Sequence, residues 1–162
     1  MGKYNSIYYL LFTKKTKTTI MASQTMIIKF ATNDRHFEKH KDNCINDGSI
    51  GLGYGVHIPL NMLSRAEIDS IENPLGAMNS SMIKFIHDLK IGDIIWAMKG
   101  RKNVLYTGVV TSNCYFTSDP RFIGYNHRRH VKFTQCPPGS EVSNGGYLTT
   151  ISKVNTNVVA IV

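Results

Sequence analysis

Residues Lys90 to Tyr115, KIGDIIWAMKGRKNVLYTGVVTSNCY, read as two neighbouring strands and the turn that joins them. Ile94, Ile95, Trp96, Ala97 and Met98 form an apolar run directly after a Gly92-Asp93 break. Val104, Leu105, Tyr106, Val109 and Val110 form a second run after Gly100-Arg101-Lys102-Asn103. Two apolar runs of strand length flanking a short Gly-containing turn predict a β-hairpin. The first run holds the single Trp of the chain and leads into Lys99, Arg101 and Lys102, and a second basic cluster, Tyr125-Asn126-His127-Arg128-Arg129-His130-Val131-Lys132-Phe133, lies downstream. Rings beside cations suit stacking on a nucleobase while neutralising its phosphates.

Upstream of the hairpin, Met82, Ile83, Phe85, Ile86 and Leu89 supply one apolar helical face, with Asn79 or Ser80 as the expected cap. Ser64 with Glu67 has capping-box spacing for a shorter helix, which Pro74-Leu75-Gly76 separates from the next. Gly48, Gly51, Gly53 and Gly55 crowd around Tyr54 without the G-K-[ST] of a phosphate loop, so they are read as a bulge or a close backbone approach. Thr25 to Ala31 is expected to be the first strand and Arg35 to Cys44 a short helix capped by Asn33 or Asp34.

Downstream, Asn113 to Gly124 reads as a loop and His130 to Gln135 as a strand stopped by Pro137-Pro138-Gly139. Tyr147 to Ile151 is expected to form a helical turn and Asn157 to Val162 a last β-like run. Strand alternation puts Arg128, His130 and Lys132 on one face and Arg129 on the other with Val131 and Phe133, which makes Arg129 the structural one. About five short strands with two or three helices imply a small α+β barrel.

At 162 residues and 42% hydrophobic, the chain fits one domain with a real core. Residues 1–24, rich in Tyr, Thr and Lys, are taken as a flexible N-terminal extension, and 25–162 as the domain. Met21 is an alternative start. Gly2 with Ser6 fits the N-myristoylation pattern, but the pattern is short and matches by chance often, so lipidation is not the expectation. No apolar run approaches the roughly 18 residues of a membrane helix. Nineteen Lys and Arg against eleven Asp and Glu give a formal charge of +8, which favours an anionic partner. Cys44, Cys114 and Cys136 are odd in number and widely spaced, which supports neither a disulfide framework nor a zinc ribbon and makes a reducing intracellular compartment the simplest home.

The order of these motifs resembles a known group. A helix running into Lys90-Ile91-Gly92-Asp93, an apolar strand, the Gly100 turn, Leu105-Tyr106-Thr107-Gly108-Val109-Val110, Tyr115, the His127 to Phe133 cluster and a late Tyr147-Leu148-Thr149-Thr150-Ile151 are similar to the EVE-like and YTH-like branch of the PUA-like superfamily. Within it they look most like the modified-base-reading N-terminal domains of McrB-type restriction proteins, over about Thr25 to Lys153. The resemblance implies a small β-barrel flanked by two or three helices that holds a methylated or flipped-out base in an aromatic pocket. It places Tyr54 of Gly53-Tyr54-Gly55 as the first pocket ring, where the family's usual residue is Trp. Trp96 lies on the strand where relatives have pocket or core residues, Asn33 matches a polar group near the base edge, and Tyr115 edges the groove. Lys99, Arg101, Lys102, Arg128 and Lys132 are the candidate contacts to the nucleic-acid backbone, DNA or RNA.

Enzyme readings have less behind them. His36 and His40 share i,i+4 spacing without the Glu of an H-E-x-x-H frame, His127 and His130 lack a clustered carboxylate pair, and neither Cys114 nor Cys136 has an evident partner. No cofactor or metal is expected. The alternative to a base reader is a non-catalytic protein-interaction module on the same fold with a degenerate pocket.

Overall fold

A computed structural model describes residues 24–30, 34–72, 77–142 and 149–154. Its strands are β1 (Thr25–Lys29), β2 (Ser49–Leu52), β3 (Ile94–Lys99), β4 (Asn103–Val110), β5 (Tyr115–Phe116), β6 (His127–Gln135) and β7 (Ile151–Lys153). Its helices are α1 (Phe37–Asp47), α2 (Arg65–Asp69) and α3 (Ala77–Ile83), and α3 runs on into a π turn at Lys84–Asp88. The strands form one curled half-barrel sheet in the order β2-β6-β4-β3-β1-β7, with β5 also paired to β6. The fold is thus mixed α+β, with more strands than expected.

The hairpin is the sheet's centre. β3 pairs antiparallel with β4 and parallel with β1, setting Ile27 beside Trp96. Alternation then sorts the side chains into two cores. Met26, Ile28, Ile95 and Ala97 face the helices and pack with Phe37, Ile68, Met82, Phe85 and Leu89. Ile27 and Met98 face the other way, where Val104, Val142 and Val154 close over them with Trp96 and Cys136 against the cluster. Each fully buried side chain of this size contributes about 1.5–3 kcal/mol. Leu105 is the extra residue of a bulge where the β3–β4 register shifts.

Local chemistry sets the ends of several elements. The Ser64–Glu67 capping box forms as expected, with the Glu67 carboxylate accepting from the Ser64 backbone N–H at 2.7 Å and Ser64 Oγ accepting from the Glu67 N–H at 3.3 Å. The Asp93 carboxylate accepts from the Lys90 N–H at 2.7 Å, the turn role its position implies. Several expectations need correction. Asn79 is not a cap, because α3 already starts at Ala77, and its amide donates to the Ile71 carbonyl at 2.9 Å. Gln24 belongs to the folded domain, since its side-chain amide donates to Asp93 at 2.8 Å and to the Asp88 carbonyl at 2.6 Å. β6 starts three residues early, at His127, because β2 and β5 supply partners there. Ile151 opens strand β7 against β1 and is not part of a helical turn. Residues 1–23 of the expected extension, Asn33, Tyr147 and the run Asn157 to Val162 lie outside the described residues. Among those described, no helix is long and apolar enough to cross a membrane.

Candidate binding site around Tyr125

β2 is the strand that builds the site. A Cβ added to Gly53 would lie 2.4 Å from the Gly124 carbonyl oxygen, and one on Gly51 would lie 2.6 Å from that of Tyr125. Glycine is therefore what lets β2 pass against the Gly124-Tyr125 backbone, the close approach that the glycine crowding implied. Just past this crossing, Tyr54 takes a left-handed conformation with φ 49°. Tyr54, Tyr125 and Leu52, with the backbone of Gly53, Gly55 and Gly124 and with Thr150, line an open cavity of about 210 Å³.

Tyr125 has a second neighbour. Its ring stacks on His40 of α1 at 3.9 Å between centroids, and a larger depression of about 510 Å³ opens beside it between α1 and the Pro120–Phe122 turn. Beneath lies Arg128. Its guanidinium is fully buried and donates to Ser49 Oγ (2.7 Å), the Ser49 carbonyl (3.0 Å), Cys44 Sγ (3.3 Å) and the Tyr125 carbonyl (3.3 Å), while stacking on the Phe122 ring at 3.6 Å. This overturns the expectation that Arg128 touches phosphate: β2, α1 and the Pro120–Phe122 turn cover its face of β6. Arg129 is structural as read. It donates to the Phe85 and Ile86 carbonyls at 2.9 and 2.8 Å and to that of Ser112 at 3.0 Å, so a cation closes the end of the π turn where carbonyls lack helical partners.

Of the other expected pocket residues that are described, neither Trp96 nor Tyr115 lines this cavity. Trp96 is half-buried on the opposite face of the sheet from the cluster that Tyr54 packs against. Tyr115 stacks on His130 at 4.9 Å, and its hydroxyl meets Ser49 and Arg128. Of the expected phosphate contacts, Arg101 and Lys102 are exposed at the hairpin tip and Lys132 is exposed on β6. Lys99 instead leans over the Phe37 ring and reaches Glu38 at 3.3 Å, tying β3 to α1. Tyr125, His36, Lys39 and Arg121 were missed. Tyr125 carried a sequence signal of its own, as the aromatic residue that heads the second basic cluster directly after Gly124.

The chemistry of the buried groups is that of a scaffold. Burial raises the pKa of Cys44, though the neighbouring Arg128 opposes it, and burial pushes Cys114 up to about 12, so both thiols stay protonated. Burial, helped by the Arg128 charge, lowers His40 to about 4, and burial lowers His127 to about 4. His127 Nε2 accepts from the Leu60 N–H at 2.9 Å, which leaves the proton on Nδ1, buried and without a partner among the described residues. His40 Nε2 lies 3.6 Å from Cys44 Sγ, whose other side is held by Arg128. No group of three or more His, Cys, Asp or Glu among the described residues is arranged to hold a metal ion.

Fold and site together define a helix-backed, curled half-barrel with an aromatic-walled cavity where β2 crosses the Gly124-Tyr125 backbone. The chain belongs to DUF8426, a domain of unknown function, which matches residues 28–148. No curated protein matches it.

Proposed function

We propose that this chain is a non-enzymatic nucleic-acid-binding domain, PUA-like and of the EVE/YTH type, that reads a methylated or flipped-out base between Tyr54 and Tyr125. The observation that carries the reading is that two tyrosines, Tyr54 and Tyr125, line one cavity of about 210 Å³. That is below the roughly 300–1,000 Å³ of usual small-molecule pockets, so the cavity suits a single ring system better than a whole nucleotide. Stacking returns about 1–3 kcal/mol per base and extrusion from a duplex costs a few, so two tyrosines roughly break even. The favoured target is therefore a base already unpaired. A methyl group in contact with the walls adds about 0.8 kcal/mol. Exposed Arg101, Lys102 and Lys132 and the formal charge of +8 support attraction to the strand.

One observation favours the protein-interaction alternative: the packing of Trp96 in its own cluster removes a ring that the resemblance offered to the pocket. The two readings separate in a binding screen with methylated and unmethylated single-stranded oligonucleotides. Tyr54→Ala should lower base-dependent affinity by about 1–3 kcal/mol at unchanged salt slope. Lys132→Ala should weaken every sequence alike and reduce the slope of log affinity against log salt by about 0.7, one neutralised phosphate on a single strand. If Tyr54→Ala stays folded and binds every oligonucleotide as the parent does, the base-reading proposal is lost and the interaction module takes its place.

A further inference from the structure

The larger depression is separate from the cavity that would hold a base, and Tyr125 is the one residue that lines both. Its charged and polar lining comes from His36, Lys39, His40 and Asn43 of the α1 segment and from Arg121 of the following turn, with no Asp or Glu among the lining residues. Arg121 is already engaged, by Asp119 at 2.6 Å and Asp47 at 3.4 Å. Lys39 and His36 are exposed, and the structure pairs neither with a carboxylate among the described residues. One layer down, the buried Arg128 guanidinium is bonded to neutral oxygens and a thiol. Its carboxylate counterion, Asp47, is reached only through Ser49 Oγ, which donates to Asp47 at 2.5 Å. A cation under a low-dielectric floor with cations at the rim makes a depression that attracts anions more strongly than the same charges in water would. The depression of His40, to which Arg128 contributes after burial, is the same field acting on a side chain already there.

We infer that this depression is a phosphate subsite: with the base between Tyr54 and Tyr125, as the proposed function has it, the phosphate of the same nucleotide sits against Lys39 and His36. The assignment deepens the base-reading proposal by specifying a nucleotide, its base and phosphate held in the two cavities that adjoin at Tyr125, as the recognised unit. A free nucleoside monophosphate and a nucleotide within a single strand present the same chemistry here, and the test treats them as separate arms.

Binding of the full chain is measured for a nucleoside, its 5′-monophosphate and a short single-stranded oligonucleotide of the same base, with inorganic phosphate as competitor. The monophosphate should bind at least about tenfold tighter than the nucleoside, the factor expected of one charge-assisted hydrogen bond. Lys39→Ala should abolish that advantage, Lys39→Arg should keep it, and millimolar inorganic phosphate should erode it. If only the oligonucleotide binds, a salt slope lowered by Lys39→Ala supports the subsite with the strand as its source. Lys39 is exposed, so these variants keep the fold. Equal affinity for nucleoside and monophosphate, or an oligonucleotide slope indifferent to Lys39→Ala, overturns the subsite. Tyr54→Ala keeps the two claims apart. Loss of base discrimination with the phosphate advantage intact leaves both standing, whereas a phosphate advantage with no effect of Tyr54→Ala removes the base pocket alone.

Discussion

At the scale of single residues, two glycines one position either side of Tyr54 do different work, and substitution tells them apart. Gly53 is filled space: a Cβ there meets the Gly124 carbonyl oxygen at 2.4 Å, and neither partner can move without opening the β2 crossing. Gly55 is open space with a φ of 72°, so a side chain there meets no atom but pays for the left-handed backbone. Gly53→Ala should cost about 1–3 kcal/mol by overpacking and Gly53→Asn at least as much. Gly55→Ala should cost about 1–2 kcal/mol, and Gly55→Asn appreciably less, because Asn tolerates that conformation. Urea melts of the four variants check the pattern, and recovery by Asn at Gly53 would contradict it. The glycine crowding was legible in the sequence, but which glycine faced a backbone was not, since that depends on Gly124 and Tyr125, some 70 residues away. Arg128 shows the same limit. Alternation told which face of β6 it shares with Lys132, and nothing local told that β2 and α1 cover that face at one end and not the other.

At the scale of elements, the periodic ones were readable and the borrowed ones were not. The hairpin, the capping box and the apolar face leading to Leu89 rest on neighbours in sequence, and each forms. Ser64→Ala should accordingly cost about 1 kcal/mol and no more, because the cap is exposed and only α2 depends on it. β5, β7 and the early start of β6 exist because other strands offer partners to chain that is polar or short. The end of the π turn is likewise completed from outside, by Arg129. Arg129→Met keeps most of the side-chain volume but strands the Phe85 and Ile86 carbonyls in the core. At about 1–3 kcal/mol for each buried unsatisfied group, the variant should lose several times what Ser64→Ala loses, read as a shift in the denaturation midpoint at unchanged slope. A loss equal to that of Ser64→Ala would mean that water reaches those carbonyls.

At the scale of the whole molecule, the two buried histidines couple folding to acid. His40 and His127 are both held neutral, with folded-state pKa values of about 4 against an ordinary 6.5. Between those values the unfolded chain binds protons that the folded chain refuses, so stability rises with pH across the window, is lost as pH falls from about 6.5 towards 4, and is level above it. The two groups differ in how fully the cost applies. The His127 ring is fully buried, so its protonation costs up to about 3 kcal/mol, whereas that of His40 costs less because water reaches it from the depression it lines. Against a total stability of about 5–15 kcal/mol for a domain of ordinary size, the pair removes a sizeable share of it across the window. Glu67 and Asp119, each held below its ordinary value by hydrogen bonds from Ser64 and Arg121, titrate at the bottom of the window or beneath it and do not mimic the effect. The measurement is the urea unfolding free energy at pH 7.5, 6.5, 5.5 and 4.5. His127→Gln keeps an acceptor for the Leu60 N–H and removes the titrating group, so it should start less stable at pH 7.5 yet fall less steeply, its curve converging on that of the parent at pH 4.5. Parallel curves would mean that His127 is protonated as readily folded as unfolded, and the burial argument for it would be wrong.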